Sequence, residues 1–209
     1  MLSFRKNIYS QHGEDGILIE LFRRMQVQPK WVCEFGAWDG KCLSNTFYWV
    51  TQGARAVYIE SDAQRVSDLH ATAREYPQIQ AFEGRVEPTG SQSLDAWLSK
   101  TSIPSNFDLL SIDVDSCDYS IWKHLEMYRP KVVVIEINSS ISPDIPDFVH
   151  DDQRGTSFLP MLRLGESKRY TLVAHTGNMI FVRNSFLEQV ALPLVDPRSL
   201  YQRNWAFSS

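Results

Sequence analysis

Trp31-Val-Cys-Glu-Phe-Gly-Ala-Trp-Asp-Gly40 (WVCEFGAWDG) is the stretch on which the reading of the fold turns. Its first five residues are apolar except for Glu34, as in a strand covered on both faces. The next five form a turn marked by Gly36 and Gly40, which allow a tight bend and close backbone approach to a ligand. In open parallel sheets, ligands collect outside the carboxyl ends of the strands, near the switch in strand order. The spacing is Gly-x-x-x-Gly with acids at 34 and 39, not the Gly-x-Gly-x-x-Gly of dinucleotide-binding turns. Nearby carboxylates would serve a pyrophosphate poorly and a cationic or zwitterionic ligand well.

Strand and helix patterns alternate outward from this turn. Upstream, residues 13–25 carry Ile17, Leu18, Leu21, Phe22 and Met25 at helical spacing. Downstream, a helix starts near Ser44, with Ser44 or Asn45 as candidate cap, and stops at Gly53. Strands are expected over 54–62, 79–86, 107–113 and the β-branched run 131–139. Between them lie helices over 63–76, 93–100 and 118–128, the last halted by Pro130. A Pro- and Asp-rich segment, 141–155, reads either as a mobile loop over a site or simply as a long connection. A helix over 157–167 follows, then two strands, 170–177 and 179–184, turning at His175-Thr-Gly-Asn178. The tail after Pro193 has no clear period.

Such alternation predicts an α/β fold with a mostly parallel sheet, and the closing pair predicts an antiparallel edge strand. The 209 residues fit one domain with a sizeable core. With 43% hydrophobic and 22% charged residues, the chain is not of disordered composition. A net charge of −4 without a long basic run argues against a nucleic-acid partner. The three cysteines, Cys33, Cys42 and Cys117, are odd in number and irregularly spaced, so neither a disulfide framework nor a zinc site is expected. No apolar segment of signal-peptide length opens the chain, and no window approaches the roughly 20 apolar residues of a membrane span. The expectation is a soluble, cytoplasmic protein without a membrane partner, its oligomeric state (including a homo-oligomer) left open.

Two further strand ends carry acids. Strand two closes on Tyr58-Ile-Glu60-Ser-Asp62, and Glu60, 24 residues past Gly36, stands where an acid suits a ribose diol. Strand four runs into Asp113, Asp115 and Asp118. Alternation gives Ser111, Asp113 and Asp115 one direction while the strand stays extended. Asp118 sits where an N-cap belongs, accepting the N–H of Ile121. On strand five, Glu136 and Asn138 share a direction. Of the five histidines, His70 and His124 fall inside helices, while His12, His150 and His175 are each candidates for a general base.

Taken together, Ser10-Gln-His-Gly-Glu-Asp-Gly16, Glu34-Phe-Gly-Ala-Trp-Asp-Gly40, Ser44-Asn-Thr46, Ile59-Glu-Ser-Asp62 and Phe107 to Asp115 resemble the FkbM-type S-adenosylmethionine-dependent methyltransferases, within the class I methyltransferase fold. Val134-Ile-Glu-Ile-Asn138 and Asn178-Met-Ile-Phe-Val182 fit as well, so the resemblance runs to about Arg183. It implies a Rossmann-like, doubly wound, mostly parallel sheet of about seven strands. It implies S-adenosylmethionine as cofactor and a methyl acceptor that is a sugar, glycan or other small-molecule hydroxyl. Glu34, Gly36 and Gly40 would cradle the methionine end of the cofactor, Glu60 would hold the ribose hydroxyls, and Glu83, Gly84, Arg85 and Val86 would border the adenine, with Ala37, Asn45 and Ser61 also among the cofactor-binding residues. Asp113 would face the cofactor too. Gln11, Glu14 and Asp15 would belong to an N-terminal segment, 1–28, closing over it; the alternative is a helix entry, since acids favour a helix N-terminus. Trp38 departs from the family, where a smaller residue is usual.

Two mechanisms fit. In one, Asp113, Asp115, His12 or His175 takes the proton of the accepting hydroxyl. In the other, Asp113, Glu136 and Asn138 bind Mg2+, which acidifies paired hydroxyls, similar to the metal-dependent O-methyltransferases of this fold. A fold that kept cofactor binding and lost methyl transfer, and a nicotinamide-dependent oxidoreductase, are the competing readings.

Overall fold

In the computed structural model, residues 1–114, 116–152, 154–192 and 195–203 are described. The strand that opens the sheet, β1 (Trp31–Phe35), is buried beyond its first residue. It pairs in parallel with β2 (Arg55–Glu60) on one side and β4 (Leu109–Ile112) on the other. Beyond β2 lies β3 (Ile79–Glu83), and beyond β4 lies β5 (Val132–Glu136), all parallel. β7 (Asn178–Arg183) is antiparallel to β5 and to the outermost strand, β6 (Tyr170–His175). The order among the described residues is β3-β2-β1-β4-β5-β7-β6. The antiparallel pairing expected at this edge is present, with the reversed strand inserted one place in from the rim.

Side chains alternate across the sheet, and each face builds its own core. Val32, Ala56, Tyr58, Leu109, Val132 and Ile180 pack with the helices α1 (Glu14–Met25), α2 (Phe47–Thr51) and α3 (Ala63–Glu75). Cys33, Val57, Leu110, Val133 and Phe181 pack with α4 (Leu94–Leu98), α5 (Asp118–His124) and α6 (Phe158–Ser167). A last short helix, α7 (Leu187–Val190), sets Val190 against the first layer. At the amino ends of the strands, Asp108 accepts the N–H groups of Lys30 and Trp31, and Lys131 Nζ, tying β1, β4 and β5 together.

Three local expectations need correction. The second helix begins at Phe47 rather than near Ser44, because the 44–46 segment turns inward to serve Glu34. The fifth helix stops at His124, four residues short of Tyr128. Leu125 is extended there, and Asp95 takes the N–H groups of Glu126 and Met127. Asp118 does not cap through Ile121, whose N–H goes to the Cys117 carbonyl. Its carboxylate instead accepts from the Val114 and Ser116 amides, bracing the turn that precedes the helix. No helix among the described residues is long and apolar enough to cross a membrane.

Candidate functional site

The sheet changes direction of winding between β1 and β4, and the two strand ends meet there. Gly36 has φ +69°, and a Cβ at this position would fall 1.8 Å from the Asp113 carbonyl oxygen. Only glycine allows the two turns to lie this close. Glu60, at the end of β2, braces the turn from the other side. One carboxylate oxygen accepts the Trp38 N–H at 2.8 Å, and the other accepts Ser61 and Asp62 N–H at 2.7 and 2.8 Å.

A groove follows these strand ends as three adjoining cavities. The middle one measures about 330 Å3 and is lined by Glu34, Gly36, Glu60, Arg65, Asp113 and Glu136. Toward β3 lies one of about 280 Å3, with Ser61, Gly84, Arg85 and Val86 beside the apolar Phe35 and Ile59. Toward β5 lies one of about 380 Å3, bordered by Gln11, His12, Asp113, Glu136, Asn138 and Asn178. Gln11, Asp113 and Glu136 line both the middle and the β5-side cavities, so the residues expected at separate stations do share one groove.

Glu34 reaches the groove from a buried network. Its carboxylate accepts from Ser44 Oγ and Thr46 Oγ1, each at 2.5 Å, and from Asn45 N–H at 3.1 Å. Burial pushes its carboxyl above the usual range, and these hydrogen bonds pull it back. Thr46 also contacts the Tyr58 hydroxyl, and Asn45 Nδ2 donates to Ser111 Oγ. Asn45 is therefore in the wall behind Glu34. The bonds of Ser111, Tyr58 and Thr46 escape a sequence reading because each has its partner on another element.

Glu14 and Asp15 are occupied inside the fold and line none of these cavities. Asp15 Oδ2 accepts three amides, from Ile8, Tyr9 and Ser10, at 2.7–2.8 Å. Glu14 accepts His12 N–H at 2.8 Å and, across the molecule, Thr176 Oγ1 and Asn178 Nδ2 at 2.5 and 3.3 Å. The helix-entry reading accounts for their position, and what they deliver to the groove is Gln11 and His12. Burial lowers the His12 imidazole below its ordinary value, against the opposing charge of Glu14.

His175 does not border the groove. It is fully buried at the end of β6, with Nδ1 accepting the Gln202 N–H and Nε2 2.9 Å from Ser139 Oγ. Both ring nitrogens serve the fold, so this histidine is not available as a base. His70 and His124 lie on α3 and α5 as expected. Asp115 lies outside the described residues. The proposed cation set also fits poorly. Asn138 Oδ1 already accepts the Ser140 N–H and hydroxyl, and its amide nitrogen donates to the Arg154 carbonyl. No group of three or more His, Cys, Asp or Glu side chains among the described residues is arranged to hold a metal ion.

The middle cavity gathers four carboxylates, Glu34, Glu60, Asp113 and Glu136, against one guanidinium, Arg65. That balance suits a ligand with positive charge and hydroxyl donors and disfavours a pyrophosphate.

Sheet order and groove define a class: the Rossmann-like, class I methyltransferase fold. Many solved structures are similar, and two illustrate the likeness. A TehB-like S-adenosylmethionine-dependent methyltransferase from Corynebacterium glutamicum is similar over 85% of this chain and 89% of its own, at 13% identity and TM-score 0.51. A proposed O-methyltransferase from Klebsiella pneumoniae is similar over 86% and 84%, at 15% identity and TM-score 0.50. At such identity the likeness speaks for the fold alone. No protein-family model matches the chain, and no curated protein matches it in sequence.

Proposed function

We propose that this chain is an S-adenosylmethionine-dependent methyltransferase of FkbM type, acting on an oxygen of a sugar, glycan or other small-molecule hydroxyl. The observation that carries the reading is the continuous acidic groove across the carboxyl ends of β1, β2, β4 and β5. Its glycine-built turn is pressed against Asp113, and an acid stands at the end of β2. When bound, the cofactor supplies an electrophilic methyl group on a sulfonium. Phe35, Ile59 and Val86 offer an apolar slot for the adenine, and Glu60 keeps one acceptor site for a ribose hydroxyl beside its three amide bonds. Glu34 borders the methionine end, and Asp113 and Glu136 favour its positive charge. The acceptor belongs in the β5-side cavity, where Asp113, Glu136 and His12 are among the groups able to receive its proton. A neutral imidazole suits that role, and burial favours the neutral form of His12. The loop from Asn138 to Thr156 borders the same cavity and would exclude water. A cytoplasmic setting goes with the three unbridged cysteines.

The test is calorimetry with S-adenosylhomocysteine and, separately, with NAD. Binding of the first alone is expected. Binding of NAD without S-adenosylhomocysteine would overturn the assignment.

A further inference from the structure

Three residues of the first turn, Gly36, Trp38 and Gly40, have left-handed backbone, at φ +69°, +49° and +78°. Glycine occupies two of these positions at no steric penalty. Tryptophan at the third costs about 1–2 kcal/mol. The fold does not recover this by burying the indole, which is 39% exposed and belongs to neither apolar core. Its ring is instead backed by Arg65, whose guanidinium carbon lies 5.0 Å from the ring centroid. Its amide is fixed by Glu60. Leu43 repeats the pattern a few residues on, with φ +58° and 44% exposure, again outside both cores. Trp38, Leu43 and Arg65 all border the middle cavity. Backbone strain that holds a large side chain in an exposed position is characteristic of ligand clamps.

We propose that Trp38, held by Arg65 and Glu60 and assisted by Leu43, is a cofactor-contacting wall of the groove that the bound cofactor completes. This rests on the methyltransferase reading and adds a determinant to it. The indole adds aromatic surface to an acidic cavity whose other apolar lining includes Ala37, Leu43 and Val114, and contact with the ligand covers the exposed ring.

The experiment titrates S-adenosylhomocysteine into the wild-type protein, Trp38→Gly and Trp38→Phe, by calorimetry and tryptophan fluorescence, with thermal midpoints recorded alongside. Glycine relieves the left-handed strain, so Trp38→Gly is expected to keep or raise the thermal midpoint. Its affinity is expected to fall about tenfold. A purely structural tryptophan would show the reverse, with stability lost and affinity kept. The wild-type emission should change on binding, and this change should vanish in Trp38→Phe. An affinity for Trp38→Gly within about twofold of wild type, or a fluorescence change that persists in Trp38→Phe, would overturn the proposal. If the wild-type protein itself bound no S-adenosylhomocysteine, the methyltransferase reading would fall first and this wall with it.

Discussion

At His175 the imidazole is neutral because the fold leaves no room for a second ring proton. Nδ1 accepts from the Gln202 amide, which assigns the proton to Nε2, facing Ser139 Oγ. Burial, with a smaller contribution from Arg5, brings the pKa from 6.5 down to about 4. The unfolded chain therefore binds a proton that the native one refuses between these values, and stability falls with falling pH through that window. The full effect is on the order of 3 kcal/mol. His175→Gln should flatten the dependence of the thermal midpoint on pH between 6.5 and 4 relative to wild type. Glu34 acts with the opposite sign, since its raised carboxyl loses stability as pH rises past its ordinary value, but it is common to both proteins and cancels in the comparison. Equal slopes would remove His175 as the origin. A sequence shows a histidine at a strand end. It does not show that a residue 27 positions later will cover it.

Elements were legible where apolar residues recur at one period and less so where a polar partner intervenes. The strand β5 follows from Val132-Val-Val-Ile135, and α3 from its spacing together with Asp62, whose carboxylate accepts the Gln64 and Arg65 amides. The start of α2 and the stop of α5 are displaced by Glu34 and Asp95, side chains that compete for backbone donors from other elements. The 138–157 connection gains its anchor in the same way. Tyr201 hydroxyl donates to the Ser139 carbonyl at 2.6 Å and lies 3.2 Å from that of Ile141, while its ring stacks on His175. Tyr201→Phe keeps the stack and removes the bond. It should cost about 1 kcal/mol and speed amide exchange in residues 141–152, read by hydrogen–deuterium exchange. Affinity for S-adenosylhomocysteine should stay unchanged, since neither the middle cavity nor the β3-side cavity touches this loop. Unaltered exchange would show that the loop is held by its own bonds, such as His150 N–H to the Gly155 carbonyl.

Across the whole molecule, topology turns acids scattered through a hundred residues of sequence into one field. Glu34 is next to last in β1, Glu60 and Glu136 end β2 and β5, and Asp113 follows β4. Parallel winding brings all four to the same rim. That convergence could be read from strand order, whereas the individual burial of each acid could not. Glu34 is buried in its hydrogen-bonded network and has its carboxyl pushed up by burial, so it contributes less negative charge to the groove than an ordinary carboxylate. Asp113 and Glu136 are only half-buried and border both the middle and the β5-side cavities. A ligand bearing positive charge where the sulfonium would sit should therefore bind more tightly than its neutral counterpart. Sinefungin, with an amine at that point, should exceed S-adenosylhomocysteine by about tenfold, a modest share of the Coulomb energy between nearby charges. The preference should shrink in Asp113→Asn and in Glu136→Gln, survive in Glu34→Gln, and weaken as ionic strength rises. Calorimetric titration of both ligands against the four proteins reads this ratio. Equal affinities in the wild type would mean that the rim acids serve the turns that hold them and not the charge of the ligand.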